Sequence, residues 1–173
     1  MPELRISGIV RESVVDGPGI RFVVFTQGCP HHCPGCHNPG THPFDGGKLV
    51  ETGQILAEVD KNPLLKGVTL SGGEPFCQPG PLAELAREAH RRGLDVITYS
   101  GYTLEQLLEK EEEEPDAGAL LRETDFLVDG RFLEAEKSLL LKFRGSKNQR
   151  ILDVKESLAR GVPVEALWAE REE

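Results

Sequence analysis

Short apolar runs alternate along the chain with segments whose apolar residues recur every three to four positions, the pattern of strands and helices taking turns. Phe22-Val-Val-Phe-Thr26 is apolar at consecutive positions and reads as a buried strand. Thr52 then caps a short helix that turns Ile55, Leu56 and Val59 inward. Gly67 to Leu70 is a second strand, running straight into Ser71-Gly-Gly-Glu-Pro75. The next helix has Pro81 near its start, Leu82, Leu85, Ala86 and Ala89 on one face, and Gly93 as its stop. Asp95 to Tyr99 forms another strand, ending at Ser100-Gly101. Thr103 and Gln106 make a capping box for a helix carrying Leu104, Leu107 and Leu108, and Phe126 to Val128 is a further strand ending at Asp129-Gly130. Beyond Lys142 the pattern is less clear: Ile151 to Val154 fits a strand, Lys155 to Arg160 a short helix, and the last residues a charged tail.

This alternation predicts an α/β architecture with a mainly parallel sheet, folded as one domain over residues 1–173. In it, Cys29 to Cys36, Gly72 to Glu74, Ser100 and Asp129 all follow strands directly, so their positions fall at one end of the sheet, where α/β proteins place their active sites. A closed eightfold barrel takes at least about 200 residues. With 173 residues the expectation is a partial (βα) barrel, open on one side.

Composition narrows the function classes. A net charge of −9 argues against a nucleic-acid binder, which shows a basic surplus or stripe. Close to half of that charge is local, because Glu109 to Glu114 holds five glutamates and one lysine; the run reads as a solvated helix end before Pro115, with docking to a basic partner as the alternative. No stretch approaches the roughly 20 apolar residues that span a bilayer. No membrane role is expected, and three cysteines crowded into eight residues suit a metal in a reducing, cytoplasmic compartment better than disulfides.

Those cysteines, Cys29, Cys33 and Cys36, have the spacing C-x3-C-x2-C. A cube of four irons takes four thiolates, so three in one loop would leave one iron open to a small molecule. Zinc competes for the same loop, because His31, His32 or His37 would complete a Cys3His tetrahedron. Pro30, Pro34 and Pro39 stiffen the loop, and Gly28 and Gly35 allow tight backbone geometry for either metal. In Ser71-Gly-Gly-Glu-Pro75 two glycines expose backbone at a strand end, and Glu74 offers a carboxylate that can pair with a ligand ammonium.

Together the cysteine loop and the Gly72-Gly73-Glu74-Pro75 segment resemble the radical S-adenosylmethionine superfamily. Val15-Asp-Gly-Pro-Gly-Ile-Arg21 and Phe25-Thr-Gln-Gly-Cys29 are similar to the N-terminal signature of activating enzymes for glycyl-radical enzymes. Phe126-Leu-Val-Asp-Gly130 and Phe143-Arg-Gly-Ser-Lys-Asn-Gln-Arg-Ile151 are similar to late segments of the subfamily that activates anaerobic ribonucleoside-triphosphate reductase. The resemblance runs from about Ile6 to Val154 and leaves out the acidic run and the tail.

The resemblance implies a 4Fe-4S cluster on Cys29, Cys33 and Cys36 that binds S-adenosylmethionine, cleaves it reductively to a 5′-deoxyadenosyl radical and so places a glycyl radical on the reductase. It implies cosubstrate contacts from Gly35, Cys36, Gly72, Gly73 and Glu74, with Ser100 and Asp129 placed for the ribose. Many members carry an aromatic residue just before the third cysteine; here that place is Gly35, and His37 is the candidate stacking surface instead. Cys77 reads as a small side chain near the cosubstrate, and Arg144, Lys147 and Arg150 as carboxylate or partner contacts, or as surface charges. Partners implied are the glycine-bearing loop of the reductase large subunit, admitted by the open side near Asp16 to Arg21, and an electron donor such as flavodoxin or ferredoxin. Activation of pyruvate formate-lyase or another glycyl-radical enzyme and, from another class, a non-catalytic zinc-stabilised binding module are the competing readings.

Overall fold

A computed structural model describes residues 2–36 and 39–169. The strands are β1 (Glu3–Ser13), β2 (Arg21–Thr26), β3 (Lys48–Glu51), β4 (Gly67–Gly72), β5 (Asp95–Tyr99), β6 (Phe126–Asp129) and β7 (Arg150–Asp153). The helices are α1 (Thr52–Val59), α2 (Pro79–Arg91), α3 (Leu104–Glu113), α4 (Pro115–Glu123) and α5 (Val154–Arg160). All seven strands join one sheet in the order β3-β1-β2-β4-β5-β6-β7, whose two edge strands do not meet, so the expected open α/β arrangement is what the chain adopts.

The four central strands are parallel, β2 to β4, β4 to β5 and β5 to β6, which brings their C-terminal ends together. Strands buried on both faces must be apolar at consecutive positions, which is why Phe22-Val-Val and Val96-Ile97 are legible as runs. Phe22, Val24, Leu70, Val96 and Leu127 pack under the helices with Leu82, Leu85, Leu107 and Leu120. A smaller cluster of Ile97, Val128, Ile151 and Ala166, joined by Tyr99, Phe143 and Trp168, forms from residues one position out of phase with these on the strands, hence on the other face. The predicted cap of α3 is present, with Thr103 Oγ1 accepting from Gln106 N and Gln106 Oε1 accepting from Thr103 N. The acidic run is the end of α3, followed at once by Pro115 of α4.

The N-terminal segment, to which the sequence reading assigned no element, is a full antiparallel strand, β1, bridging β2 and β3. Two expectations change. Thr52 is the first residue of α1 and not its cap; the N-cap is Glu51, in a capping box with Gln54. The charged tail is a structured segment up to Ala169: Ala166 N donates to Ile151 O, and Trp168 packs edge-on against Phe126 and Phe143 at centroid distances of 5.0 and 5.9 Å.

In the last turn of α2, His90 joins two acidic side chains. Its Nε2 lies 2.7 Å from Asp125 Oδ2 and its Nδ1 3.2 Å from Glu123 Oε1. Burial alone would lower the pKa of His90, but hydrogen bonds and charge from Asp125 and Glu123 outweigh it and raise the value. Because the folded value is the higher one, protonated His90 stabilises the fold below the ordinary histidine pKa of about 6.5, and that contribution is lost as pH rises through the folded value. The urea midpoint of the wild type is therefore expected to fall on going from below to above that range, and the fall should vanish in His90→Gln. Identical profiles for the two proteins would remove His90 from the pH dependence.

Candidate active site

Each central strand ends in a segment that lines one cavity of about 360 Å³, a size suited to a small-molecule ligand. Cys29, Cys33 and Cys36 follow β2, Gly72 and Gly73 end β4, Ser100 follows β5, and Gly130 and Arg131 follow β6; all of them are on its wall. The convergence expected from strand ends is thus present.

The cysteine loop is clipped at its base. Gly28 N donates to Thr41 O (2.6 Å) and Cys29 N to His42 O (3.1 Å), while Gln27 Nε2 donates to Gly40 O and Pro43 O. Cys36 N donates to Cys33 O, turning the chain so that the second and third thiols share the wall. All four cysteines are free thiols. Burial pushes the Cys29 and Cys33 thiols up, opposed by backbone amides of His31 and His32 at Cys29 and of Phe132 at Cys33.

The glycines are required by a close approach of two backbones. Gly73 N donates to Thr26 O (2.7 Å) and Glu74 N to Gly28 O (2.8 Å), zipping the end of β4 to the start of the cysteine loop. A Cβ at Gly73 would stand 2.4 Å from Gly28 O, and one at Gly72, where φ is +97°, 2.4 Å from Thr26 N. Only glycine fits at either place.

Glu74 lies two residues beyond the end of β4. Its side chain is fully buried, and its carboxylate accepts from Ser100 Oγ (2.8 Å), Gly101 N (2.7 Å) and Phe76 N (3.1 Å), with His31 Nε2 2.7 Å away. Protein donors occupy the acceptor positions of this carboxylate, and Glu74 acts as a clamp that ties the cysteine loop, the end of β4 and the end of β5 together. Glu74→Ala leaves several buried donors without an acceptor, so it is expected to lower folding stability by about 1 to 3 kcal/mol or more. Urea unfolding of the cluster-free protein measures this, and wild-type stability would show the clamp to be dispensable.

Asp129 is likewise committed elsewhere. Its carboxylate accepts from Leu104 N at the start of α3 and from Arg150 Nε and Nη2, so it anchors α3 and is not on the wall of this cavity. Ser100 does line the cavity, although its hydroxyl also donates to Glu74 and accepts from Tyr102 N. Gly35 turns at φ +74° beside the Glu134 carboxylate, off the wall, and His37 lies outside the described residues. Cys77 is also off the wall, its thiol pushed up to about 11 by burial and by the neighbouring Glu74 charge. Of the three late basic residues, Arg144 lines the cavity and Arg150 pairs with Asp129 and Glu105.

At the mouth, Asp16 is on the wall and Val14 and Val15 are exposed, but Arg21, grouped with them in sequence, is fully buried behind the loop they form. Its guanidinium donates to Thr69 Oγ1 (2.8 Å), Pro18 O (3.0 Å), Val68 O (3.1 Å) and Asp95 Oδ1 (2.5 Å). Sequence reasoning gave no role to Tyr99, Arg131 or Phe132, and offered His31 only as a candidate zinc ligand. Arg131 and Phe132 directly follow the Asp129-Gly130 turn, and that adjacency was the available signal.

Among the described residues, no three His, Cys, Asp or Glu side chains are gathered as ligands of a single metal ion would be. All three cysteines are on the wall of one cavity, and His31 faces Glu74. Three soft thiolate donors on one partly polar cavity suit a multi-iron cluster and an organic ligand beside it.

A family model described as "4Fe-4S single cluster domain" matches residues 15–152. Loop, glycine turn and cavity therefore belong to an iron-sulfur protein of the radical S-adenosylmethionine class. The anaerobic ribonucleoside-triphosphate reductase-activating protein of Vibrio cholerae serotype O1 is 34% identical over 147 residues, covering 80% of this chain and 90% of that one. The protein of the same name from Escherichia coli K12 is 32% identical over 146 residues, covering 79% and 90%. The pyruvate formate-lyase-activating enzyme of Clostridium pasteurianum is 39% identical over 104 residues, covering 57% and 44%. The chain belongs to the family of anaerobic ribonucleoside-triphosphate reductase-activating proteins.

Proposed function

We infer that the protein activates an anaerobic ribonucleoside-triphosphate reductase, by cleaving S-adenosylmethionine reductively at a 4Fe-4S cluster and placing a glycyl radical on the reductase. The observation that carries this reading is the meeting of all three cysteines and the Gly72-Gly73 turn on one cavity at the ends of the parallel strands. Cys29, Cys33 and Cys36 would hold three irons of the cluster, which, when bound and reduced, would supply the electron for cleavage of the cosubstrate to methionine and a 5′-deoxyadenosyl radical.

The chain's own residues hold and shield. Gly72 and Gly73 present backbone to the methionyl end of the cosubstrate, and Ser100 presents its hydroxyl. Glu74 works through Ser100, Gly101 and His31, keeping three strand-end segments in one arrangement. The partner's glycine must come within about 3 to 3.5 Å of the reacting carbon, so a loop of the reductase has to enter the cavity; the exposed Val14 and Val15 and the adjoining Asp16 form its rim on one side. A one-electron carrier such as flavodoxin or ferredoxin delivers the electron.

The test mixes anaerobic, reduced protein and S-adenosylmethionine with the reductase or with pyruvate formate-lyase and looks for the glycyl-radical doublet by electron paramagnetic resonance. The expected result is a doublet on the reductase together with 5′-deoxyadenosine. A doublet on the lyase alone would transfer the activity to that partner, the reading favoured by the shorter match to its activating enzyme. Absence of both radical and 5′-deoxyadenosine would overturn the assignment.

A further inference from the structure

After β6 the chain leaves the end of the sheet as an arm and returns to it. Lys137 and Ser146 pair as an antiparallel bridge, Ser138 N donates to Gly145 O (3.2 Å) and Lys147 N to Glu136 O (2.9 Å), so the two legs are laced together at the base. The returning leg is tied down further. Tyr99 Oη donates to Phe143 O (2.7 Å), the Phe143 ring packs edge-on against Trp168, and Gly145 N and Ser146 N both donate to Gln149 Oε1. Phe143, held at φ +65°, Arg144 and Gly145 then form part of the cavity wall.

The far end of this arm is apolar. Leu139 and Leu140, the first two of three consecutive leucines, are 88% and 69% exposed. An arm fixed at its base holds them in water and forgoes the burial that leucine favours, and an exposed apolar run of this kind marks contact with another molecule. Lys137, Lys142 and Lys147 on the same arm are exposed as well. Residues 137–147 hold four basic side chains and no acidic one, a local charge of +4 in a chain whose net charge is −9. Leucines set among lysines complement an apolar depression bordered by carboxylates.

The place of the arm decides its occupant. Leu140 is three residues from Phe143, so it lies within about 11 Å of the cavity wall. A body seated on the arm is thereby held at the cavity into which the partner's loop has to reach. We propose that residues 137–147 are a docking element for the reductase, with Leu139 and Leu140 seated in an apolar depression bordered by carboxylates near its glycine-bearing loop. The proposal rests on the function inferred above and deepens it by naming the surface that recognises the partner.

The test measures the affinity of anaerobic, cluster-loaded protein for purified reductase by titration calorimetry, using wild type, the double variant Leu139→Ser with Leu140→Ser, and the double variant Lys137→Glu with Lys142→Glu. The leucine variant is expected to bind about 10- to 100-fold more weakly, as loss of buried anchors does. The lysine variant should bind more weakly at low salt and show a flatter dependence on salt. Both should form 5′-deoxyadenosine from S-adenosylmethionine and dithionite at the wild-type rate without reductase, which shows cluster and cavity to be intact. Wild-type affinity in both variants, or a loss of partner-free cleavage equal to the loss of binding, would overturn the proposal while leaving the assigned function standing. Sedimentation of the protein alone gives one more outcome: a dimer that both variants abolish would assign the arm to a second copy of this chain and overturn its assignment to the reductase. Failure of wild type to bind the reductase or to place a radical on it would overturn the function itself.

Discussion

Anaerobically prepared Cys33→Ala protein is expected to be colourless, to show no iron-sulfur signal after reduction, and to form no 5′-deoxyadenosine from S-adenosylmethionine. Cys33 is the middle cysteine of a loop whose ends are fixed by Gly28 N to Thr41 O and by the Cys36 N to Cys33 O turn. Its sulfur takes a backbone amide from Phe132 and has the Arg131 charge near it, so the segment after β6 meets the loop at this residue. Among the described residues Cys77 is the only other cysteine, and it lies off the cavity wall where it cannot replace the lost thiolate. The same variant should remain folded: of the residues from Gly28 to Cys36 only Cys29 belongs to the buried apolar set. Circular dichroism and urea unfolding of cluster-free protein check this. A brown, redox-active Cys33→Ala protein would contradict the ligand assignment.

Arg21→Ala is expected to cost about 3 to 5 kcal/mol of folding stability, because it opens a cavity and strands the partners of a buried cation. The guanidinium is fully buried, and it joins the loop after β1, through Pro18 O, to β4, through Val68 O and Thr69 Oγ1, and to Asp95 at the start of β5. Thr69 Oγ1 in turn donates to Asp16 O, so the loop that brings Asp16 to the cavity hangs on the same group. Arg21→Lys should recover only part of the stability, since one ammonium cannot reach four acceptors on different segments. Urea midpoints of the three proteins decide it, and a wild-type midpoint for Arg21→Ala would show that the network adds nothing.

The parallel strands were legible because burial on both faces forces consecutive apolar residues, and the helices because their caps and stops are local. β1 was not, because an antiparallel strand with one solvated face mixes charge and apolar residues, as in Leu4-Arg5-Ile6. β3 is too short to carry a pattern, and α4 hides behind the acidic run although Ala117, Leu120 and Leu121 have helical spacing. Trp168 could not be placed because its partners, Phe126 and Phe143, are distant in the chain. The same division runs through the site. Ligand spacing in the cysteine loop is a property of eight consecutive residues, whereas the state of the Glu74 carboxylate depends on His31 and Ser100, 43 and 26 positions away. Whether a carboxylate is free or spent is decided by such long-range neighbours.

An unclosed sheet leaves two rows of backbone donors and acceptors that another chain could extend, and each row here is blunted. On one side, residues 164–166 lie along β7, with Asp153 N donating to Val164 O and Ala166 N to Ile151 O. On the other, β3 is four residues long with Lys48 and Glu51 exposed, and the stretch of β1 beyond it is interrupted by register shifts and carries exposed Arg11 and Glu12. Charge and irregularity of this kind discourage edge-to-edge pairing. The sheet can therefore stay unclosed without its edges inviting aggregation.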